Sequence, residues 1–253
     1  MAFEIREQAA HAVSLSSAIL IYGGRDSLYS SPSAAFATMH SIRTADNGAA
    51  TISAGQPLDQ RSLMKLTMAL SGHNRVRHGL LPHEVLSIGL SHVMWWMPPT
   101  TRTVFFDTHG ENTVGKRSGK TPHPGLIFLV KDRSLSIFAV KGKTRPVAST
   151  RLYHAPYFNV WDNAKVCTGS TPLPEDAVID TMRVWEEGFF RSNFSHTNHT
   201  KSVCYDGGAH RFWTDLLDGK FKTFPTKTLV LRRKETVGAL IEQIESGNCG
   251  NDE

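Results

Sequence analysis

The sequence predicts an α+β fold in which an antiparallel β-meander is flanked by helices and preceded by an additional β-rich region. Apolar runs of strand length, separated by turn signals, occupy the middle of the chain. Helix-length segments with one apolar face follow those runs, an order typical of an α+β protein. Short apolar segments between Gly-rich and Asn-rich turns near the start of the chain predict the additional β-rich region.

Residues 1–72 are predicted to form this N-terminal β-rich region and a helix that closes it. Turn signals at 23–26 and 46–48 separate the apolar segments, and the second, Asp-Asn-Gly, fits a hairpin. Asp59 is a candidate cap for a helix that ends near Gly72. The strand candidates are 12–15, 18–22 and 49–54.

A β-hairpin is predicted over residues 124–140, where two apolar strands surround the polar connection Lys131-Asp132-Arg133-Ser134. A third strand at 147–153 would extend the hairpin into a meander. The segment 111–121 is rich in Gly and Lys, and this composition predicts a mobile surface loop.

Helices are predicted after the meander. Glu175 and Asp176 favour the start of a helix that runs to about Phe190, because acidic side chains stabilise the first turn. A short helix at 209–217, a strand at 229–231 and a final helix at 236–246 follow. We therefore expect three regions, which are 1–72, a core at 85–225 and a C-terminal strand and helix extension at 226–253.

Composition is that of an ordinary globular protein and excludes few functions. The chain has 253 residues, of which 40% are hydrophobic and 20% charged, and its apolar runs are too short for a membrane helix. The first residues lack the basic-then-apolar layout of a secretory signal, so a cytoplasmic location is expected. The net charge of +5 permits contact with nucleic acid, but the basic residues are scattered.

The cysteines indicate reduced thiols rather than disulfides. Cys167, Cys204 and Cys249 are odd in number and widely spaced, and no CxxC is present. His196 and His199 precede Cys204, but this set lacks a fourth ligand at a fitting spacing. We therefore expect no metal site and no cofactor.

The segment from Tyr157 to Cys167 is the strongest candidate for chemistry. Asn159 lies eight residues before Cys167, with the turn-prone residues Asp162 and Asn163 between them. A thiolate can attack a carbonyl carbon, and an amide can orient a loop or stabilise the oxyanion that forms. Since the segment follows the meander directly, the two side chains are placed where a strand ends.

These residues resemble the ubiquitin-conjugating (UBC) fold over roughly residues 85–225. In that family a His-Pro-Asn tripeptide follows the meander, and the catalytic Cys lies eight residues after its Asn. Here Tyr157-Phe158-Asn159 takes the tripeptide position, Cys167 the nucleophile position and Asn163-Ala164 the preceding turn. More narrowly, the whole chain resembles the protein B family of the PRTRC genetic system, a plasmid-associated bacterial cassette.

The resemblance implies that Cys167 carries a ubiquitin-like protein as a thioester, received from an adenylating (activating) enzyme, and passes it to an amine. Asn159 would stabilise the oxyanion or hold the loop. Tyr157 stands where the family has a structural His, and its hydroxyl would support the loop. Independently of the resemblance, His196 or His199 would assist proton transfer from the amine if the loop after the long helix folds over the site. The acidic residue common soon after the family's Cys is replaced by Thr168-Gly169-Ser170.

Two other functions remain open at this point. A UBC-like fold can bind a ubiquitin-like protein without chemistry, and the absence of the tripeptide's His and Pro favours that reading. A DNA-associated accessory of plasmid partition is favoured only by the net charge and the cassette resemblance.

Overall fold

The computed structural model describes residues 15–22, 36–45, 49–59, 61–63, 66, 80–89, 91–169, 173–174, 176–199 and 201–246. The chain divides into two compact units, residues 1–79 and 80–253. Several parts of the sequence predictions fall outside the described residues. They are the first part of the strand expected at 12–15, the turns at 23–26 and 46–48, most of the helix expected at 59–72, Glu175 and Cys249.

The first unit confirms the N-terminal β-rich region. Its strands are β1 (Ser17–Tyr22), β2 (Phe36–Thr44), β3 (Ala50–Ile52) and β4 (Gln56–Pro57). The long strand β2 pairs antiparallel with each of the other three. Two polar side chains are buried on β2, and they satisfy each other through a 2.7 Å contact between Thr38 Oγ1 and His40 Nε2.

The second unit contains nine strands and three α-helices among the described residues. The strands are β5 (Val85–Ile88), β6 (His92–Met97), β7 (Thr100–Asp107), β8 (Lys116–His123), β9 (Gly125–Lys131), β10 (Ser134–Val140), β11 (Arg151–His154), β12 (Asn193–Phe194) and β13 (Leu231–Thr236). The helices are α1 (Met182–Arg191), α2 (Gly208–Leu217) and α3 (Val237–Glu245).

Six strands form one antiparallel sheet in the order β13-β11-β10-β9-β6-β5. The predicted hairpin is confirmed as β9 and β10, which pair from Lys131–Ser134 outward to Gly125–Val140. The third strand of the meander is also present, but it begins at Arg151 rather than at 147. A turn in which the Thr150 N–H donates to the Val147 carbonyl at 2.8 Å occupies the residues before it.

The prediction of a mobile loop at 111–121 is wrong from Lys116 onward. This part is strand β8, which pairs antiparallel with β7 along its whole length. Charged and Gly residues are tolerated there because β8 is the edge of a three-stranded sheet, where one face and one side meet solvent. Gly119 fits against α2, since a Cβ at this position would lie 3.0 Å from Leu217 Cδ2.

Helices cover both faces of the large sheet. Alternate residues of a strand point to opposite faces, so Trp95 and Phe128 pack with α1 and α2 while Trp96 and Ile127 pack with α3. The buried residues of α1 and α2 in this core include Trp185, Phe189, Phe190, Phe212 and Trp213. Among the described residues, no helix has the length and apolar character needed to cross a membrane.

A buried carboxylate anchors α1 on the sheets. Glu186 accepts hydrogen bonds from Trp95 Nε1 at 3.0 Å and from Arg102 at 2.7 Å, with 2% of its side chain exposed. The helix begins later than predicted, at Met182, after a 3₁₀ turn at Ile179–Thr181. The other two predicted helices are confirmed as α2 and α3.

Candidate active site

The Asn159–Cys167 segment is a closed loop that leaves the sheet after β11. Its two ends are adjacent, because the Cys167 N–H donates to the Asn159 carbonyl at 2.7 Å and Val160 forms a bridge with Val166. At the tip, Asn163 Oδ1 accepts from the Lys165 N–H at 3.1 Å. The eight-residue spacing read in the sequence therefore brings the backbones of Asn159 and Cys167 into contact.

The second half of the loop is fixed to strand β10. The Val166 N–H donates to the Leu135 carbonyl at 2.8 Å, and the Ile137 N–H donates to the Ala164 carbonyl at 3.0 Å. Ala164 is buried and has a φ of 69°, a left-handed conformation that costs a non-glycine residue energy. The sheet therefore holds the backbone immediately before Cys167 in one position.

The side chain of Asn159 joins the loop to the segment after α1. Its Oδ1 accepts from the backbone N–H groups of Ser195 and His196, at 3.2 and 3.1 Å, and its Nδ2 donates to the Asn193 carbonyl at 2.8 Å. Two backbone donors on the oxygen fix the orientation of the amide. Asn159 also has a φ of 60°, which Asn tolerates better than most residues.

Cys167 is an exposed, free thiol on an open groove of about 920 Å³. One wall of this groove, called here the Cys167 groove, is a face of helix α1, and the other is formed by Trp161 with the 195–198 segment. The side chains that line it include Val184, Glu187, Arg191, Ser195, His196 and Asn198. Of the predicted site residues, the groove brings together Asn159, Cys167 and His196.

Tyr157 lies in the core and not in the groove. Its hydroxyl, which the resemblance indicated as a support of the loop, instead contacts His123 Nδ1 on β8 at 2.7 Å. Burial raises the pKa of Tyr157 well above its usual value and lowers the pKa of His123 to about 4, so both groups are neutral at pH 7. Tyr157 therefore ties the start of the segment to the three-stranded sheet.

Comparison with known proteins identifies the family. A model described as prokaryotic E2 family D matches residues 61–231, which include Asn159, Cys167 and both walls of the groove. The chain belongs to prokaryotic E2 family D. No matching curated protein and no matching solved structure was found. The expected relation to ubiquitin-conjugating proteins is thus confirmed at the level of this E2 family.

The sequence did not indicate that an acidic side chain lines the Cys167 groove of this family D protein. Glu187 lies on α1 and pairs with Arg191 one turn later, at 3.6 Å. The only signal in the sequence was the spacing of the two charges on an amphipathic helix, which is equally typical of a solvated face. Its position in the Cys167 groove depends on how α1 packs on the sheets.

A second set of polar residues that the sequence did not connect lies beyond Trp161 in this E2 family D protein. His154 on β11, Asp162 at the loop tip and His199 come together, and Arg232 on β13 reaches the same place. Burial, with smaller contributions from Arg232 and His199, lowers the pKa of His154 to about 4. His154, Asp162 and Arg232 border a second groove of about 560 Å³ that shares Trp161 with the first.

Proposed function

We propose that this prokaryotic E2 family D protein carries the C-terminal acyl group of a ubiquitin-like protein as a thioester on Cys167 and transfers it to an amine. The observation that supports this most directly is an exposed thiol at the end of a fixed loop, on the rim of an open groove. A nucleophile that must exchange thioesters with another protein needs this accessibility, whereas a structural cysteine is usually buried.

The proposed reaction has two acyl transfers. The Cys167 thiolate attacks the carbonyl carbon of a thioester held on the activating enzyme, a new C–S bond forms, and the enzyme's thiolate leaves. An amine then attacks the Cys167 thioester, a C–N bond forms, the Cys167 thiolate leaves, and the amine nitrogen loses a proton. Neither step changes an oxidation state, so no redox partner is required.

Asn159 acts in this proposal chiefly as a positioning residue. Its amide oxygen and one of its two amide hydrogens bond the backbone of the 193–196 segment, and its carbonyl bonds the Cys167 N–H. These contacts fix the loop that ends in the thiol relative to the 193–196 segment. The second Nδ2 hydrogen is the one available to an oxyanion.

His196 and Glu187 are the groove side chains that can take the proton of the attacking amine. His196 Nδ1 contacts Ser195 Oγ at 2.8 Å, which orients the imidazole next to the Asn159 anchor. Glu187, on helix α1, is a carboxylate that lines the groove and pairs there with Arg191, whereas the residues just after Cys167 include no acidic side chain. A carboxylate in this position also attracts a lysine ammonium group before it loses its proton.

The partners proposed are a ubiquitin-like protein and an adenylating enzyme encoded in the same plasmid-associated PRTRC cassette, acting in the bacterial cytoplasm. The experiment incubates the protein with this pair and ATP, followed by gels with and without a reducing agent. We expect a thiol-sensitive adduct that Cys167→Ser converts to a thiol-resistant oxyester or abolishes. Cys204→Ser is the matched control, since Cys204 is also an exposed free cysteine.

An adduct that is unchanged in Cys167→Ser, or that is lost in Cys204→Ser instead, would overturn the assignment of the nucleophile. No adduct at all would favour a second function, a binding module that holds a ubiquitin-like protein without chemistry. The engagement of Asn159 with backbone groups rather than with Cys167 Sγ favours that alternative. It predicts that Cys167→Ala retains the affinity for the ubiquitin-like protein.

A further inference from the structure

Two histidines and an aspartate meet at the tip of the Asn159–Cys167 loop, on the far side of Trp161 from the thiol. Asp162 Oδ1 lies 3.7 Å from His154 Nδ1 and 3.4 Å from His199 Nδ1. The two imidazole rings are adjacent, with centroids 4.5 Å apart. The three side chains come from separate parts of the chain, namely β11, the loop tip and the segment that follows β12.

The spacing of these atoms matches the ligand set of a metal ion. One ligand atom from each residue lies within 4.8 Å of the other two. Ligands of tetrahedral Zn²⁺, bound at about 2.0–2.2 Å, are separated by about 3.4 Å, so small movements of side chains would bring the three atoms to bonding distance. Two imidazoles and one carboxylate are a donor set that first-row transition ions favour.

The protein alone leaves His199 poorly satisfied. Its Nε2 is buried without a hydrogen-bond partner among the described residues, and its Nδ1 has the carboxylate of Asp162 at 3.4 Å. Nδ1 is the nitrogen that faces Asp162, so it is the atom that would bind an ion, while Nε2 would carry the proton. Asp162 is 76% exposed, which leaves an entry path for an ion from solvent.

We propose that His154, Asp162 and His199 bind a divalent transition ion of the Zn²⁺ class, with water completing the coordination. This site goes beyond the proposed thioester chemistry and does not depend on it. It also differs from the set of His196, His199 and Cys204 that the sequence spacing argued against, because only His199 is shared.

Arg232 lies at the proposed site, and its positive charge opposes the binding of a cation. Its guanidinium contacts His154 Nδ1 at 3.2 Å, and an ion would have to displace this hydrogen bond. Arg232 keeps its other partners, which are both carboxylate oxygens of Glu235 and the Asp162 carbonyl. The positive charge lowers the affinity for a cation, so Arg232→Gln should bind the ion more tightly than the parent protein.

An ion at this site would clamp the loop that ends in Cys167. Its ligands would be Asp162 at the loop tip, His154 on β11 and His199 in the segment after β12. Binding would therefore cross-link these three parts of the chain. Amide hydrogen exchange at residues 160–166 should therefore slow when the ion is added. Unchanged exchange in the presence of bound ion would overturn this clamping role.

The test is titration of the full chain with Co²⁺ and Zn²⁺, followed by visible absorption and calorimetry. We expect one saturable site with a Co²⁺ spectrum typical of nitrogen and oxygen ligands and without a thiolate charge-transfer band. His154→Ala, His199→Ala and Asp162→Asn should each weaken binding by at least about tenfold. His109→Ala is the matched control, since His109 also faces a carboxylate, that of Asp107 at 3.8 Å, but no third metal-ligating side chain joins this pair among the described residues.

Three results would overturn the site: no saturable binding, a thiolate band in the Co²⁺ spectrum, or ligand variants that bind as tightly as His109→Ala. The unfolding temperature of each variant without metal shows whether it folds. Asp162→Asn decides the question if either histidine variant fails to fold, because Asp162 is largely exposed and the replacement has the same shape.

Discussion

Asn159 and His196, which both line the Cys167 groove, exchange two hydrogen bonds. The Asn159 N–H donates to the His196 carbonyl at 2.7 Å, and the His196 N–H donates to Asn159 Oδ1 at 3.1 Å. This reciprocal pair fastens the loop that carries the thiol to the 195–198 segment, and the two together form the wall that faces helix α1. Asn159 therefore holds this wall together, once through its backbone and once through its side chain.

Replacing Asn159 should destabilise the fold as well as the site. Asn159→Gly removes the side-chain bonds to Ser195 and His196, and we expect a loss of about 1–3 kcal/mol in the free energy of unfolding. Asn159→Ala should cost about 1 kcal/mol more, because its Cβ is strained at a φ of 60°. Urea unfolding measures both variants. Equal stabilities would show that the left-handed conformation is not strained.

The buried carboxylate of Glu186 should matter far more for stability than its neighbour Glu187. Glu186→Ala leaves Trp95 Nε1 and the Arg102 guanidinium without their partner, and we expect a loss of about 3 kcal/mol. Glu187→Ala is the control, because its side chain is 57% exposed and should change stability by no more than about 0.5 kcal/mol. Denaturant unfolding at neutral pH compares the two, and similar losses would contradict the role given to Glu186.

Acid should destabilise the protein through His123. Burial lowers the pKa of His123 from 6.5 to about 4, so below pH 6.5 the unfolded chain binds a proton that the folded protein does not accept until about pH 4. Above pH 6.5 the protonation of His123 does not reduce the free energy of unfolding. As the pH falls from 6.5 to 4, it lowers that free energy by at most roughly 3 kcal/mol. His154 adds a change in the same direction.

His123→Gln tests this origin of the acid sensitivity, since glutamine keeps hydrogen-bonding groups but does not titrate. The free energy of unfolding measured between pH 7 and pH 4 should fall less steeply in the variant than in the parent. His109→Gln, at a side chain that is 92% exposed, should leave the slope unchanged. A variant at position 123 with the slope of the parent would contradict the prediction.

Trp161 should affect transfer without affecting stability. Its side chain is 49% exposed and lines the Cys167 groove, where it offers an apolar surface to the tail of a ubiquitin-like protein. On the proposed function, Trp161→Ala should slow thioester formation by about tenfold, the effect of losing about 1.4 kcal/mol of binding. Val147→Ala, at an apolar residue that is 61% exposed and outside the groove, should have no effect on the rate.

The strands were predictable from the sequence where each pairs with a strand that is close to it along the chain. The apolar runs on either side of Lys131–Ser134 predict a hairpin because the chain between them is short enough to join adjacent antiparallel strands. Strand β8 was not predictable, because its Lys- and Gly-rich composition is that of a loop and its strand structure depends on β7. Helix α1 was expected but begins at Met182, since a 3₁₀ turn takes up the preceding residues.

By itself, the sequence determined the elements that depend on short spacings: the hairpin, the three later helices and the pair of Asn159 and Cys167 in one loop. Only the tertiary structure decided what surrounds that pair. Helix α1 brings Glu187 into the groove that Cys167 also lines, and the 193–199 segment supplies the partner of Asn159 and one histidine of the cluster at Asp162. The reason is physical: these neighbours are distant in sequence, and the burial of Trp185, Phe189 and Glu186 against the sheets determines where they lie.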